Sequence, residues 1–337
     1  MSRKEFSVAV VGATGAVGEL MIRVLEERNF PVGEMRYMAA PGEAGKVMKW
    51  KGEDVVVQAA TPDSFKGVQI ALFSAGGKPS LDLAPVAAEA GAVVIDNSSA
   101  FRMDPEIPLV VPEVNPGDVA LYRHRGIIAN PNCTTIIGIV PVWPLHKANP
   151  VKRMIVSSYQ AASGAGQSAM LEMIQQAHEV LENKPVTCNK LKYQLAFNLY
   201  CHDSKIGPNG YNEEEMKMVH ETHKIFSAPE IAITCTCVRV PVIRAHSESI
   251  NLEFANPISP DEVRQILEKA PGVSIIDDRE NNRFPMPVDA SGKDDVYVGR
   301  IRQDESLPGN RGINLWVSGD QIRKGAALNA IQIAELL

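Results

Sequence analysis

Nowhere does the sequence run through about 18 consecutive apolar residues, the length a helix needs to cross a bilayer, so no transmembrane helix is expected. Cysteine is scarce. Its five copies, Cys133, Cys188, Cys201, Cys235 and Cys237, are odd in number and irregular in spacing, which excludes a secreted disulfide scaffold. Positive charge is not in surplus either: 34 Lys and Arg face 40 Asp and Glu, and the net charge of −6 is spread along the chain. A local basic pocket remains compatible with that balance, but nucleic acid and anionic membranes are not expected as partners. Internal repeats, low-complexity tracts and long linkers are also missing. The start, MSRKEFSVAVVGATG, is basic and then apolar, as signal peptides are, but its apolar stretch is short and leads into a glycine-rich turn that the fold needs. A cytoplasmic location is expected.

With 337 residues, the chain exceeds one comfortable hydrophobic core, and two domains are expected. The first 130 residues alternate apolar runs with amphipathic patterns. Strands are predicted at Phe6–Val11, Met35–Ala39, Val55–Ala59, Val68–Ser74, Val93–Asp96 and Leu109–Val111, and helices at Ala16–Arg28 and Leu81–Ala90. Strand, helix, strand at this spacing means parallel βαβ units in a doubly wound sheet. After Pro150 the pattern changes. Strands are predicted at Met154–Tyr159, Ile231–Val240, Ile250–Phe254, Val273–Asp277, Val296–Arg302 and Ile313–Val317. Helices are predicted at Ala165–Glu182 and Glu213–Phe226. A third starts at the capping box Ser259-Pro-Asp-Glu262 and ends near Lys269. Many strands with few crossover helices imply a mostly antiparallel sheet backed by helices, an α+β domain. A last helix over Asp320–Leu337 could return to the first domain. We therefore expect residues 1–131 with 319–337 as one domain and 132–318 as the other.

Gly12-Ala-Thr-Gly15-Ala-Val-Gly18 follows the first strand and opens the first helix. Glycines there permit positive φ and let a pyrophosphate approach backbone N–H groups at a helix N-terminus, the mark of a Rossmann-type dinucleotide-binding domain. The bland alternative is a tight turn with no ligand. An NAD site usually places an acid about 20 residues on, at the end of the second strand. Met38 stands near that position, which tilts towards NADP, whereas Glu43 in the following loop would repel a 2′-phosphate. In Asn130-Pro-Asn132-Cys133-Thr134-Thr135, turn and cap residues place Cys133 in the first turn of a helix. The macrodipole and unpaired N–H groups there stabilise a thiolate and could serve as an oxyanion hole. A small buried thiol fits the same local pattern, and the motif alone leaves both open. His246 ends a strand and enters a loop, a usual place for a general acid or base, though any one histidine is more often structural. Arg239, alone, reads as a surface charge. Cys235 and Cys237 share one face of a strand; packing suits them better than metal binding, because no second ligand pair follows.

Taken together, GATGAVG at Gly12–Gly18, DNSSAFR at Asp96–Arg102, VPEVN at Val111–Asn115, NPNCTT at Asn130–Thr135 and YQAASGAG at Tyr159–Gly166 resemble the aspartate-semialdehyde dehydrogenases. EEMK at Glu214–Lys217, RVPV with a histidine seven residues after its arginine, and KGAALNA at Lys324–Ala330 continue the resemblance along nearly the whole chain. It implies that Cys133 is the nucleophile, His246 the general acid/base and Gln160 the group that orients substrate and intermediate. Arg239 would pair with the substrate α-carboxylate and Glu214 with its amino group. Arg102 and Lys217, with Asn132 nearby, would bind phosphate. Gly12, Thr14, Gly15, Ala16, Val17, Gly18, Ser163, Gly164 and Gln321 would contact the cofactor. The implied reaction is reductive dephosphorylation of 4-phospho-L-aspartate to L-aspartate 4-semialdehyde with NADPH through a cysteine acyl-thioester. That reaction lies on the route to lysine, diaminopimelate, threonine, methionine and isoleucine. Members are typically homodimers, and tetramers occur. Many bacterial members carry a Ser-Ala-Arg-Ser-like loop after the second strand; here it reads Ala40-Pro-Gly-Glu43, so tolerance of NAD is a live expectation. An N-acetyl-γ-glutamyl-phosphate reductase is the alternative enzyme, but it would carry Gly before and Tyr after the cysteine. An inactive paralogue acting as a binding module should have lost Cys133, Gln160, Arg239 or His246, and all are present.

Overall fold

The computed structural model describes residues 5–337, which fall into two compact units, residues 5–132 with 326–337 and residues 133–325. In the first, the chain runs through β1 (Phe6–Val11), α1 (Ala16–Glu27), β2 (Val32–Ala39), β3 (Val47–Trp50), β4 (Glu53–Val56), β5 (Gln58–Ala59), β6 (Ile70–Phe73), α2 (Gly77–Glu89), β7 (Val93–Asp96) and β8 (Ile127–Ala129). Six strands form a parallel sheet in the order β5-β2-β1-β6-β7-β8, while β3 and β4 make a separate hairpin. The strands are apolar runs because both faces of a parallel sheet are covered; β6, Ile-Ala-Leu-Phe, is wholly buried. The chain winds outward from β1 in both directions, so the crevice at the carboxyl ends of β1 and β6 is the topological switch point.

One expected strand is corrected. Leu109–Val111 is buried but makes a single bridge to Ala129, and the sheet's edge is β8 instead. Pro108 and Pro112 bracket the segment and withhold the N–H donors a ladder needs.

The second unit contains α3 (Cys133–Ala148), β9 (Val151–Gln160), α4 (Gln167–Leu181), β10 (Tyr200–Cys201), α5 (Glu213–Phe226), β11 (Ala232–Arg239), β12 (His246–Phe254), α6 (Pro260–Leu267), β13 (Val273–Ile275), α7 (Pro287–Ala290), β14 (Val296–Gln303) and β15 (Gly312–Gly319). Its seven-stranded sheet has the order β10-β11-β9-β12-β15-β14-β13. Four of the six pairings are antiparallel; β11 with β9 and β13 with β14 are parallel. Helix α3 is apolar on every side and buried along most of its length, as a helix lodged between a sheet and other helices must be.

The final helix is shorter than the sequence suggests. Asp320 turns the chain by accepting N–H bonds from Ile322 and Arg323 on its carboxylate. A wide π-type turn follows over Arg323–Ala327, and only then does α8 (Leu328–Ala334) begin. Residues 319–325 belong with the second unit rather than the first, because Asp320 also holds Arg244 and the Gly292 N–H, and Gln321 holds the Ala245 N–H. From Ala326 the chain is part of the first unit, where Asn329 donates to Asn130 Oδ1 at 2.6 Å and to the Val110 carbonyl.

One row of the second sheet is polar and sealed. Cys237, Ser158 and Glu248 face one another across β11, β9 and β12, all buried. Both Glu248 carboxyl oxygens lack a hydrogen-bond partner, and Gly138 of α3 packs against one of them so closely that a Cβ there would lie 2.5 Å away. Burial, then the neighbouring Cys237 thiol, pushes the Glu248 pKa well above the usual 4.5. The folded protein therefore holds a proton that the unfolded chain releases above that value, and stability falls as pH rises. Glu248→Gln should raise the melting temperature by more at pH 8 than at pH 5; an equal change at both would contradict a neutral Glu248.

Candidate active site

The glycine turn is built as its residues demand. Gly12 adopts φ +84°, and a Cβ on it would lie 2.4 Å from the Ser74 carbonyl oxygen at the end of β6. A Cβ on Gly18 would lie 2.1 Å from the Gly12 carbonyl, so α1 can pack against the turn only with glycine there. Gly15 caps α1, leaving Ala16 and Val17 in its first turn. Beside the turn lies a pocket of about 490 Å³ whose walls include Gly12, Thr14, Gly15, Glu43, Ser74 and Asp82. This cradle, at the carboxyl ends of β1, β2 and β6, fits a dinucleotide. Met38, the residue at the usual acid position, is instead fully buried, and its carbonyl ties down the N–H groups of Gly12 and Ala13. Of the two acids on the pocket wall, Glu43 follows the second strand, and Lys46 pairs it at 2.6 Å; that hydrogen bond and one from Thr14 lower its pKa. Arg102 is buried, donating through Nε to the Asn130 carbonyl and through Nη2 to the Asn97 carbonyl, and so braces the segment that leads to buried Asn132.

In the second unit, Cys133 is the first residue of α3, as the turn residues suggested. Its Sγ lies 3.7 Å from Nε2 of His246, which begins β12 rather than ending a strand as expected, because the chain leaves β11 at Arg239 and loops before re-entering the sheet. The Ala161 backbone N–H donates to His246 Nδ1 at 3.0 Å, so Nδ1 carries no proton. The neutral ring therefore bears its hydrogen on Nε2, aimed at Cys133. Burial, then the charge of Arg239, pushes the His246 pKa down to about 3, and the ring is uncharged at neutral pH. Around this pair the backbone is fitted closely. A Cβ on Gly325, in the wide turn, would lie 2.8 Å from the Cys133 Cβ. One on Gly164 would lie 3.1 Å from the His246 ring and 3.2 Å from Arg239 Nη1. Ala245, directly before His246, holds φ +74°, a costly value for a residue with a Cβ. Gln321 fixes it by accepting the Ala245 N–H, while its own amide donates to Ser163.

The sheet register pairs Arg239 with Gln160 and Ser247 with Tyr159, so Arg239, Gln160 and His246 stand together at one end of three adjacent strands. Gln160 spends its amide hydrogens on Thr134 Oγ1 at 2.7 Å and Glu214 Oε1 at 3.3 Å, joining α3 to α5. Glu214 sits in the first turn of α5, which an Asn212–Glu215 capping box closes, and it is paired with Lys217 at 2.8 Å. Arg239 is buried rather than a surface charge, which corrects the expectation from its sequence alone. Its Nη1 donates to the Ala161 carbonyl, its Nη2 contacts His202 Nε2, and its Nε has no partner. Cys133, Gln160, Ser163, Gly164, Glu214, Lys217, Arg239, His246 and Gln321 all belong to this unit; Arg102, Asn132 and the glycine turn belong to the first. Cys235 and Cys237 share a face as the alternation required, with Sγ atoms 3.6 Å apart, inside the buried core. Sequence reasoning missed Ala161, Thr134, Gly325 and His202. Gly325, Ala161 and Thr134 carried a signal, since they lie within KGAALNA, YQAASGAG and NPNCTT; His202 lies in no motif.

Residues 7–122 match the family model described as semialdehyde dehydrogenase, NAD binding domain, and residues 142–324 match semialdehyde dehydrogenase, dimerisation domain. Over 330 residues the chain is 56% identical to the aspartate-semialdehyde dehydrogenase of Synechocystis sp., covering 98% of this chain and 96% of that protein. This chain belongs to the aspartate-semialdehyde dehydrogenase family. It is also 50% identical to the Aquifex aeolicus aspartate-semialdehyde dehydrogenase over 98% of both chains. The fold agrees: the crystal structure of Vibrio cholerae aspartate semialdehyde dehydrogenase II complexed with ASA superposes with a TM-score of 0.96. That structure is 48% identical and covers 99% of this chain and 98% of its own. For a chain of this family, a thiol facing an Nε2–H imidazole is the arrangement to perturb first. Gly325→Ala should displace Cys133 and lower kcat by about tenfold or more, because misplacing a reacting atom by a fraction of an ångström is that costly. Steady-state rates with a melting curve check it; full activity in the variant would show that the close fit does not matter.

Proposed function

We propose that the chain catalyses the NADP-dependent interconversion of 4-phospho-L-aspartate and L-aspartate 4-semialdehyde, with Cys133 as the acyl carrier. The observation that supports this reading most directly is the placement of the Cys133 thiol against the Nε2–H of His246. In the biosynthetic direction the Cys133 thiolate attacks the acyl carbon of the substrate. A carbon–sulfur bond forms, and phosphate leaves with the electron pair of the broken carbon–oxygen bond. The helix dipole at Cys133 and the Nε2–H of His246 both favour the thiolate over the thiol. The reduced nicotinamide supplies the hydride that converts the thioester to the hemithioacetal level. The Nε2–H of His246 hydrogen-bonds to the developing oxyanion and stays on the ring as the carbonyl re-forms and the thiolate departs. Because Ala161 occupies Nδ1, this contact runs through Nε2 alone.

Substrate recognition follows from charge. Arg239 presents a buried guanidinium to the α-carboxylate, and Glu214 a carboxylate to the α-ammonium. Arg102, Lys217 and Asn132 are assigned to the phosphate. Gln160 orients the site by holding Thr134 and Glu214 in place. Gly12, Thr14, Gly15, Ala16, Val17 and Gly18 are assigned to the dinucleotide, as are Ser163, Gly164 and Gln321. The active assembly is a homodimer, a reading that the match to a dimerisation domain supports. The enzyme serves amino-acid biosynthesis from aspartate.

Cofactor choice turns on Glu43. Its carboxylate suits a ribose 2′-hydroxyl and opposes a 2′-phosphate, while Lys46 offsets part of that charge. We assign NADP with NAD also accepted. Phosphate-dependent oxidation of L-aspartate 4-semialdehyde, run with both cofactors, tests the activity and the preference together. Turnover that needs phosphate and vanishes in Cys133→Ala is the expected result; phosphate-independent turnover, or turnover in the variant, would contradict the acyl-carrier role. Glu43→Gln should shift the kcat/KM ratio towards NADP by about tenfold, the effect of removing one like charge worth about 1.4 kcal/mol. An unchanged ratio would remove Glu43 from the 2′ site.

A further inference from the structure

His202 lies in the second unit at the end of the short edge strand β10, in a polar segment without periodicity. Its backbone N–H joins the sheet by donating to the Cys237 carbonyl, which fixes where its ring begins. The ring Nε2 lies 2.9 Å from Arg239 Nη2. A guanidinium can only donate, so Nε2 must be the acceptor and must carry no proton. The ring hydrogen then sits on Nδ1, whose neighbour is Ser204 Oγ at 3.1 Å. The Ser204 N–H also approaches Nδ1, at 3.2 Å, but the shorter, charged contact at Nε2 decides the tautomer. Ser204 Oγ in turn accepts the Glu214 backbone N–H at 3.2 Å. A continuous bridge therefore runs from Glu214 through Ser204 and His202 to Arg239, joining the two groups assigned to the α-amino and α-carboxylate ends of the substrate.

We propose that His202 is a positioning residue for the substrate's amino-acid end: its neutral ring accepts one Nη2 hydrogen of Arg239 and so fixes the remaining N–H groups for the α-carboxylate. This rests on the reading of Arg239 as the carboxylate site. With the Ala161 carbonyl taking a hydrogen from Nη1 and His202 one from Nη2, the guanidinium plane is pinned on two sides. The Nε–H, buried and without a partner, is left in a plane already set. Protonating His202 would replace the acceptor with a second cation facing Arg239, and the fork would lose its orientation. The groups that bear on His202 are Arg239 and Lys217, which disfavour its proton, and Glu214 and Asp203, which favour it; buried His246 is a further neighbour. Burial is the largest influence and holds His202 below the ordinary histidine pKa of 6.5, so the ring is neutral at physiological pH and charges only on acidification.

The test measures KM and kcat for L-aspartate 4-semialdehyde at saturating phosphate and cofactor from pH 8 down to pH 6, with melting curves, in four proteins. These are the wild type, His202→Leu, His202→Gln and Arg239→Leu. Losing one hydrogen bond to a charged group should raise KM in His202→Leu about tenfold with kcat nearly kept. His202→Gln offers an amide oxygen that cannot titrate, so it should recover most of the affinity. It should also lose any rise in KM that the wild type shows as pH falls. A His202→Leu protein with wild-type KM, beside an Arg239→Leu protein whose KM is raised, would overturn the role of His202 and leave that of Arg239 intact. An Arg239→Leu protein with wild-type KM would overturn the carboxylate reading and this inference with it. Equal losses in kcat and KM for both His202 variants would mark a purely structural residue and also overturn it. If His202→Leu fails to fold, His202→Gln decides: a KM profile that still rises in acid like the wild type contradicts the proposal.

Discussion

Cys133 Sγ lies 3.7 Å from His246 Nε2, and much of the second unit is arranged to keep that approach. The two residues come from different kinds of element: the thiol from the first turn of a buried helix, the imidazole from the start of a sheet strand. Gly325 lets the wide turn close on the thiol, and Gly164 lets the turn after β9 close on the ring. Gln321 holds the strained Ala245 that aims the imidazole. Ala161 then decides the chemistry. By donating to Nδ1 it makes His246 a donor at Nε2, so a neutral imidazole presents its N–H to the thiol. Burial, then the charge of Arg239, keeps the ring neutral as well.

Below the row of Arg239, Gln160 and His246 the sheet carries a second polar row, Cys237, Ser158 and Glu248, sealed under α3 and α5. Buried polar side chains in a core are usually satisfied, and Ser158 and Glu248 are not. Their position directly beneath the site, against Gly138 of the helix that carries Cys133, shows how little room the helix has to shift without disturbing the row above.

How much of this could be read from the chain depended on whether the signal was local. The glycine turn, the start of α3 at Cys133 and the Ser259–Glu262 cap of α6 are set by residues within a few positions of one another, and they stand where local rules put them. The doubly wound sheet followed from strands alternating with amphipathic helices. Arg239 was different. Alone it read as a surface charge, and only the resemblance gave it a role, because what buries it is a strand register between β11 and β9 that no short motif encodes. Leu109–Val111 looked like a strand by composition, but flanking prolines removed the donors. The last helix was broken by an aspartate whose partners, Arg244 and Gly292, are distant in the chain. His202 escaped notice because a half-buried polar segment carries no periodicity to mark it.

The central claim is that Cys133 carries the acyl group. Mixing the protein with 4-phospho-L-aspartate in the absence of reduced dinucleotide, quenching in acid and mapping its peptides by mass spectrometry measures that directly. The peptide containing Cys133 should gain the mass of one aspartyl group, removable by hydroxylamine, as phosphate is released. Phosphate release with an unmodified Cys133, or an acyl group carried on another residue, would contradict the account.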